Sequence, residues 1–383
     1  MRLPVRLLLA ALLLTGVVYA GAWATVDRYG ASRAIAWLGA DTGDVERFPS
    51  RAVPRGGPVL ELPPGPTLDL AAAWDVDDAD ALLEQTQTAA FLVVHDGRLR
   101  YEHYLGDNGP EVLRTSFSVA KSVVSTLIGL AIDDGAIQSL DEPITDFVPE
   151  LLDRDARFAD ITVRDLLTMS SGLSYVERSL PWSDDAQTYY GTDLRATALS
   201  ARVDHRPGEQ FLYNNYNLLL EGLVLERATG APVAEYLSAR LWGPMGAEAD
   251  ATWSLDSDRS GFEKMESGLN AVARDYARFG LLFANGGRVG DRQVVPPAWV
   301  ELATSRGEET RPHPGYGLHW WTGDFAGTAL PDGHAMAAGN FGQFVYVAPD
   351  AAVVVVRLGD DHGTDDWPAR FAQIVEHVRT DAA

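Results

Sequence analysis

The chain has 383 residues, 46% of them hydrophobic, which is enough for one large domain or two domains of average size. Its formal net charge of -23 creates a field that repels phosphate backbones, so nucleic acid is excluded as a partner. The absence of cysteine excludes disulfides, cysteine-bound zinc and a thiol nucleophile. Covalent catalysis by this chain must therefore use oxygen or nitrogen.

Residues 1–26 have the pattern of an export segment. Arg2 and Arg6 precede an uncharged stretch over residues 7–26, and Ala22-Trp23-Ala24 has the small-x-small form of a cleavage site. An apolar helix of this length would also span a bilayer. We therefore predict a signal peptide or a membrane anchor, with the rest of the chain exported to an extracytoplasmic location. Membrane contact is expected through residues 7–26 only.

Residues 27–68 are rich in proline and glycine, a composition that breaks helices. We predict that they form an extended linker arm. The folded domain is expected over residues 69–383, with a mostly helical subdomain over about residues 140–255, where short helical patterns alternate with Pro/Gly turns.

Hairpin patterns lie near both ends of the predicted domain. Two β-rich runs flank Asp96-Gly97, a two-residue turn signal, and two more flank residues 349–352. Between them, residues 118–134 have apolar side chains at helical spacing. We therefore predict an α/β (α+β) fold, in which an antiparallel sheet from N- and C-terminal segments is flanked by helices and carries a helical insertion.

Ser118 and Lys121 form the strongest candidate for chemistry. A separation of three residues places a hydroxyl and an amine one turn apart on one helix face. Serine needs a base beside it to act as a nucleophile, and a lysine of lowered pKa can be that base. The only other lysine is Lys264, so the remaining basic residues of this chain are arginines, which do not deprotonate in proteins.

Two further elements could complete such a site. Tyr213 could relay a proton to a leaving group, and Asn215 could fix Lys121 by hydrogen bonding. Gly339 and Asn340 lead into a strand, where glycine would let the backbone approach a substrate closely.

These elements, in this order, resemble the serine β-lactamase and penicillin-binding protein superfamily. Within it they are most similar to the class C-like branch of esterases and 6-aminohexanoate-dimer hydrolases, over about residues 85–360. The resemblance implies Ser118 as nucleophile, Lys121 as base, Tyr213 as proton relay and Asn215 as the residue that orients the base. It also implies an oxyanion hole made by the backbone N–H groups of Ser118 and Asn340.

One position departs from this family pattern. The family's third motif usually begins with lysine or histidine, and Ala337 stands at that position. Because the cation helps to hold the carboxylate of β-lactams and D-Ala-D-Ala peptides, its absence favours an ester, or an amide without that carboxylate. The predicted function is a serine hydrolase of small-molecule esters or amides that acts through an acyl-enzyme and needs no cofactor.

Two other functions remain open from the sequence. One is a D-amino-acid peptidase or weak β-lactamase, which would suit an extracytoplasmic location. The other is a non-catalytic, membrane-tethered binding or sensor domain. The sequence makes no prediction of oligomeric state.

Several additional residues are candidates for substrate contacts, and none is a candidate for metal binding. No His-x-x-x-His or His-Glu-x-x-His spacing occurs, so we predict no metal site. The segment around residues 182–190 combines aromatic and acidic side chains that could overhang a pocket, and a histidine precedes the third motif. The candidate substrate-binding residues are Trp182, Asp184, Tyr189, His334 and Gly339.

Overall fold

The computed structural model describes residues 3–26, 30–178, 180–307, 312–364 and 366–381, which form alternating helices and strands. The α-helices are α1 (Leu3–Val26), α2 (Ala31–Trp37), α3 (Leu70–Trp74), α4 (Ala79–Gln85), α5 (Val119–Asp133), α6 (Val163–Leu167), α7 (Asp184–Tyr190), α8 (Leu194–Ala198), α9 (Asn215–Thr229), α10 (Val233–Leu237), α11 (Ala273–Ala284), α12 (Pro297–Ala303) and α13 (Trp367–Asp381). The strands are β1 (Ser50–Val53), β2 (Thr88–His95), β3 (Arg98–Tyr104), β4 (Arg114–Thr115), β5 (Ala251–Ser254), β6 (Leu269–Ala271), β7 (Arg288–Val289), β8 (Arg292–Gln293), β9 (Asp324–Phe325), β10 (Thr328–Ala329), β11 (Ala335–Gly339), β12 (Gln343–Ala348) and β13 (Val353–Gly359).

The largest sheet among the described residues has five strands in the order β11-β12-β13-β2-β3. All its neighbouring strands are antiparallel, and β13 joins the C-terminal strands to β2 in a register that pairs Val355 with Val93. Asp96 and Gly97, between β2 and β3, have φ values of 50° and 70°, as a tight two-residue hairpin requires. The predicted fold is confirmed in this respect, because N- and C-terminal segments share one sheet.

Both faces of this sheet are buried, and alternate residues of each strand serve different layers. On β2, Leu92 and Val94 face the larger apolar core, which contains helix α5. Phe91 and Val93 face a second core, where Phe371 of α13 packs. Strands covered on both sides favour continuous runs of β-branched residues, and the valine run of β13 has that form.

Helices dominate the chain between α5 and β6, as the alternating helical patterns predict. Helices α6 to α10 and several 3-10 turns lie there, with β5 at the end. Helix α9 packs against α5, α6, α7 and α8, so the helical part lies directly against the helix that carries Ser118.

The predicted linker arm is not a free tether, and this part of the sequence-based prediction is wrong. Residues 31–37 form helix α2, and β1 pairs with β5 from Ser50 opposite Ser254 to Val53 opposite Ala251. Val53 is fully buried, and Leu68 is nearly so. The prolines that break helices lie just outside β1, at its two ends, where they leave the ladder intact.

Helix α1 covers most of the predicted export segment. Its side chains from Val5 to Tyr19 are exposed to solvent. Among the described residues, no helix meets the combined length and hydropathy criteria for a membrane span.

We expect Val53→Ala to lower the free energy of unfolding by about 1–3 kcal/mol, because it leaves a cavity in a packed layer. The matched control is Val112→Ala, since Val112 is 37% exposed and its truncation should cost less than about 0.5 kcal/mol. Urea unfolding of the two variants measures both values. Equal losses would contradict the packing of β1 on the domain.

Candidate active site

Ser118 lies immediately before helix α5, after a strained turn. Phe117 has a φ of 42°, which is uncommon for any residue other than glycine. Its ring lies 6.4 Å from that of Tyr189 and 5.1 Å from that of Phe341, measured between centroids, and these contacts hold the turn. The amides of Val119 and Ala120 donate to the carbonyls of Ser116 and Phe117, at 3.2 and 3.0 Å, so backbone hydrogen bonds close the turn that presents the Ser118 hydroxyl at the start of α5.

Lys121 is almost completely buried one helical turn from Ser118. Its Nζ lies 3.0 Å from Ser118 Oγ and donates to the backbone carbonyl of Glu266, also at 3.0 Å. Burial lowers the pKa of Lys121 to about 8, although the carboxylates of Glu266 and Glu221 oppose that shift. A substantial fraction of the amine is therefore neutral near pH 8 and can accept the serine proton.

Glu266 connects the two lysines of the chain and was missed by sequence reasoning. Its Oε1 lies 2.9 Å from Lys264 Nζ, while its backbone carbonyl holds Lys121. Lys264 is as buried as Lys121, and its ammonium lies 4.1 Å from the centroid of the Tyr189 ring. The scarcity of lysine was therefore informative at both positions, since each lysine occupies a buried place beside the site.

Tyr213 lines the same cavity as Ser118. The centroid of its ring is 5.0 Å from Lys121 Nζ, and Trp321 stacks near it at 6.3 Å. Burial raises the pKa of Tyr213 well above its usual value, and a hydrogen bond with Ser118 lowers it in part. Tyr213 is consequently a neutral phenol in the pH range where Lys121 begins to lose its proton.

The loop that carries Tyr213 is fixed by hydrogen bonds on both sides. The Leu212 amide donates to the carbonyl of Met169 at 2.8 Å. Asn214 accepts from the Tyr216 amide at 2.8 Å and donates to the carbonyl of Leu173 at 3.1 Å. Asn214, which the sequence did not single out, thus caps α9 and holds Tyr213 in place.

Asn215 does not hydrogen-bond Lys121, which contradicts the predicted contact. Its Nδ2 donates to the Tyr175 hydroxyl at 3.0 Å and lies 3.5 Å from Thr188 Oγ1, and its buried Oδ1 has no partner among the described residues. Through the contact with Thr188, the Asn215 side chain at the start of α9 faces α7. The Glu266 carbonyl holds the amine instead.

Strand β11 runs close to the Ser118 turn because Gly339 lacks a side chain. A Cβ atom at this position would lie 2.5 Å from Ser116 O and 2.9 Å from Ser118 N, both of which are backbone atoms. The next residue, Asn340, lines the same cavity as Ser118. The oxyanion hole assigned to the amides of Ser118 and Asn340 stays a prediction that this arrangement allows.

The cavity over Ser118 has a volume of about 410 Å³ and largely aromatic walls. Trp321 forms an isolated bridge with Met336 of β11, and its ring packs at 5.0 Å from Phe325. Sequence reasoning assigned no role to these aromatic residues, because only the tertiary fold brings them to Ser118. The lining includes Ser118, Tyr213, Trp321, Phe325, Gly339, Asn340, Phe341 and His362.

Of the weaker candidates on α7 and the loop before it, only Tyr189 lies near the site. It lines a second compartment together with Asn215 and Asn340. Trp182 is 61% exposed and lines a separate cavity. Asp184 accepts from the Val176 amide at 2.7 Å and from the Tyr216 hydroxyl at 3.1 Å, so its role in this structure is to hold the loop.

His334 does not line the Ser118 cavity, which contradicts its prediction as a substrate-binding candidate. It is buried, bonds to the hydroxyl of Tyr346, and lies 3.3 Å from a carboxylate oxygen of Asp350. Tyr346 belongs to the core on the opposite face of the sheet. Within the described part of the chain, no cluster of three or more histidine and carboxylate side chains could hold a metal ion.

Comparison with known proteins places this fold and site in a family. The family model described as Beta-lactamase matches residues 77–379. The 6-aminohexanoate-dimer hydrolase of Paenarthrobacter ureafaciens is 29% identical over 355 residues, which cover 86% of this chain and 87% of that protein. Esterase EstB of Burkholderia gladioli is 32% identical over 213 residues, or 50% of this chain and 53% of that one.

Solved structures show the same fold. The Bacillus anthracis structure assigned as a 6-aminohexanoate-dimer hydrolase superimposes with a TM-score of 0.72 at 23% identity, covering 89% of this chain and 92% of that chain. At that identity the likeness concerns the fold alone. Together with the family match over most of the chain, it confirms the predicted resemblance: this chain belongs to the beta-lactamase family and is a serine hydrolase of that type.

Proposed function

We propose that the protein hydrolyses carboxylic esters and linear amides through an acyl-enzyme on Ser118. The observation that carries the proposal is the buried Lys121 amine, 3.0 Å from the Ser118 hydroxyl and lowered in pKa to about 8. A lysine in this state serves as a base, whereas a solvated lysine would stay protonated.

The neighbouring groups suit both halves of an acyl transfer. Lys121 accepts the Ser118 proton as Oγ attacks the substrate carbonyl, and the amides of Ser118 and Asn340 would stabilise the resulting oxyanion. Tyr213, kept neutral by burial, gives its proton to the leaving alcohol or amine and regains one from Lys121. Water then attacks the acyl-enzyme by the reverse sequence of proton transfers and frees the acid.

The substrate class is narrowed by the strand beside Ser118. Ala337 is buried and belongs to the core that contains α5, on the same face of β11 as Gly339. No lysine or arginine lines the Ser118 cavity in the part of the chain that the structure describes. A substrate carboxylate would therefore find no lysine or arginine side chain on the described walls of this cavity, which argues against D-Ala-D-Ala peptides and β-lactams as preferred substrates.

The relatives support the ester and amide assignment. One is named as a 6-aminohexanoate-dimer hydrolase and another as an esterase, and the longer of the two matches covers most of both chains. The alternative of a domain that only binds or senses a ligand loses support. Ser118, Lys121 and Tyr213 lie close enough together to exchange a proton.

We further propose that the hydrolase is exported, on the basis of the charged and then uncharged pattern of residues 1–26. Support comes from the sequence alone. Fractionation of cells that express the full chain, with terminal sequencing of the recovered protein, tests this proposal and separates a cleaved signal from a retained anchor. Recovery in the cytoplasm would contradict it.

Ser118→Ala should abolish turnover of a chromogenic short-chain ester and covalent labelling by a fluorophosphonate, because the nucleophilic oxygen is removed. Ser125→Ala is the matched control, since Ser125 lies on the same buried helix and its Oγ has no partner among the described residues. Intact-mass spectrometry measures the label. Undiminished labelling of Ser118→Ala, or no labelling of the native chain, would refute the assignment of Ser118.

The kcat/KM for such an ester should rise roughly tenfold per pH unit below about pH 8 and level off above it. The sign follows from the role of Lys121, which can accept a proton only once it has lost its own. Lys121→Arg should reduce kcat/KM by roughly 10²-fold or more at every pH, because arginine stays protonated. A profile that is flat from about pH 6 to 9, after subtraction of the Ser118→Ala background, would exclude Lys121 as the base.

A further inference from the structure

A second compartment opens beside the Ser118 cavity, and helix α2 forms one of its walls. The compartment has a volume of about 590 Å³, within the range of sites for small ligands. Asn340 lines both the Ser118 cavity and this space, so the two adjoin at the strand edge beside the nucleophile. We call it the α2 compartment; its walls include Ile35, Leu38, Leu180, Tyr189, Asn215 and Asn340, and the charged residues Glu177, Arg178 and Asp185 also line it.

Helix α2 is held against α7 by specific contacts, so its position is part of the fold. Trp37 packs edge-on against Tyr190 at 5.8 Å. Gly30 has a φ of 73°, and a Cβ atom there would lie 1.9 Å from the Tyr190 carbonyl oxygen, which only glycine permits. Arg33 donates to the carbonyl of Asp256 at 2.5 Å. The wall is therefore anchored at its start, its middle and its end.

Apolar side chains are unusually exposed on this wall and opposite it. Leu38 is 90% exposed, while Ile35 and Leu180 are each 40% exposed. Single exposed apolar residues are ordinary, but these three line one concave space that adjoins a catalytic cavity. An apolar portion of the substrate would bury them and release the water around them.

The position of Tyr213 indicates which portion of the substrate enters. Tyr213 lines the Ser118 cavity but not the α2 compartment, and as the proton donor it must face the leaving group. The leaving alcohol or amine then occupies the aromatic Ser118 cavity. The acyl group lies on the other side of the carbonyl carbon. It would therefore extend past Asn340 into the α2 compartment.

We propose that the α2 compartment is the acyl-chain site of this hydrolase, and that residues 31–40 select substrates with an apolar acyl chain of medium length. The assignment rests on the proposed function, because it needs Ser118 to be acylated. It gives the segment ahead of the family-matched region a role in specificity.

Two ester series test the site. In one, the acyl chain of a p-nitrophenyl ester is lengthened from acetyl through hexanoyl to octanoyl; in the other, the acetyl group is kept and the alcohol is lengthened. The native chain should prefer hexanoyl or octanoyl over acetyl by roughly tenfold or more in kcat/KM. Lengthening of the alcohol should change kcat/KM through contacts in the Ser118 cavity, and substitutions in α2 should not alter that change.

Ile35→Trp fills the α2 compartment and should reduce the octanoyl-to-acetyl ratio of kcat/KM by roughly tenfold or more. Leu38→Asn is a second variant, because Leu38 has a φ of 60°, which asparagine tolerates. The polar amide of the asparagine should lower the octanoyl-to-acetyl ratio. Ala36→Trp is the matched control, since Ala36 is exposed on α2 but does not line the compartment. Thermal melting checks that each variant is folded.

A lower ratio in Ile35→Trp and Leu38→Asn, but not in Ala36→Trp, supports the acyl-chain site. Unchanged ratios in a chain that still cleaves the acetyl ester overturn the site and leave the proposed function intact. A change confined to the alcohol series overturns the assignment of the acyl side. A change of oligomeric state or of binding to phospholipid vesicles, with unchanged ratios, would show that the exposed apolar side chains serve another surface and also overturns it. No hydrolysis of any ester would instead refute the proposed function.

Discussion

The buried amine of Lys121 is the constraint on which the site depends. Removing a lysine side chain from water is costly, and the chain meets that cost with one backbone carbonyl, from Glu266, and the hydroxyl of Ser118. The same burial depresses the pKa of the amine and makes it a base. Burial of Lys121 therefore sets both the packing around the amine and its ability to act as a base. A more exposed lysine would stay protonated and would not pack in this way.

Several local features follow from placing Ser118 beside this amine. The hydroxyl must point into a cavity while the next residues enter a fully buried helix, and the strained turn at Phe117 achieves that change of direction. Strand β11 must pass close to the turn, which requires glycine at position 339. Strain at such a turn persists because the aromatic rings around Phe117 hold it.

The segment ahead of residue 77, where the family match begins, packs on the folded domain. Strand β1 extends a second sheet through β5, and helix α2 stands over the cleft beside Asn340. A family whose members share the nucleophile and the base can differ in substrate through such additions, because the acyl and leaving groups are recognised by the walls of the cleft rather than by the reacting atoms. Here the alanine at position 337 and the exposed apolar side chains of α2 both support the proposed substrate class, an ester or amide without a carboxylate beside its leaving group.

The sequence alone predicted the candidate catalytic pair, the antiparallel sheet built from both ends of the domain, and the family. Ser118 and Lys121 are three residues apart on a helix predicted by its apolar spacing, and the hairpin at Asp96-Gly97 is specified by its turn residues, so local sequence was sufficient for both. Tertiary structure alone decided which carbonyl holds the amine, that Asn215 turns towards α7, and that His334 faces the opposite core. These contacts join residues far apart in the chain. Their geometry depends on how helices and strands pack, which neither composition nor spacing records.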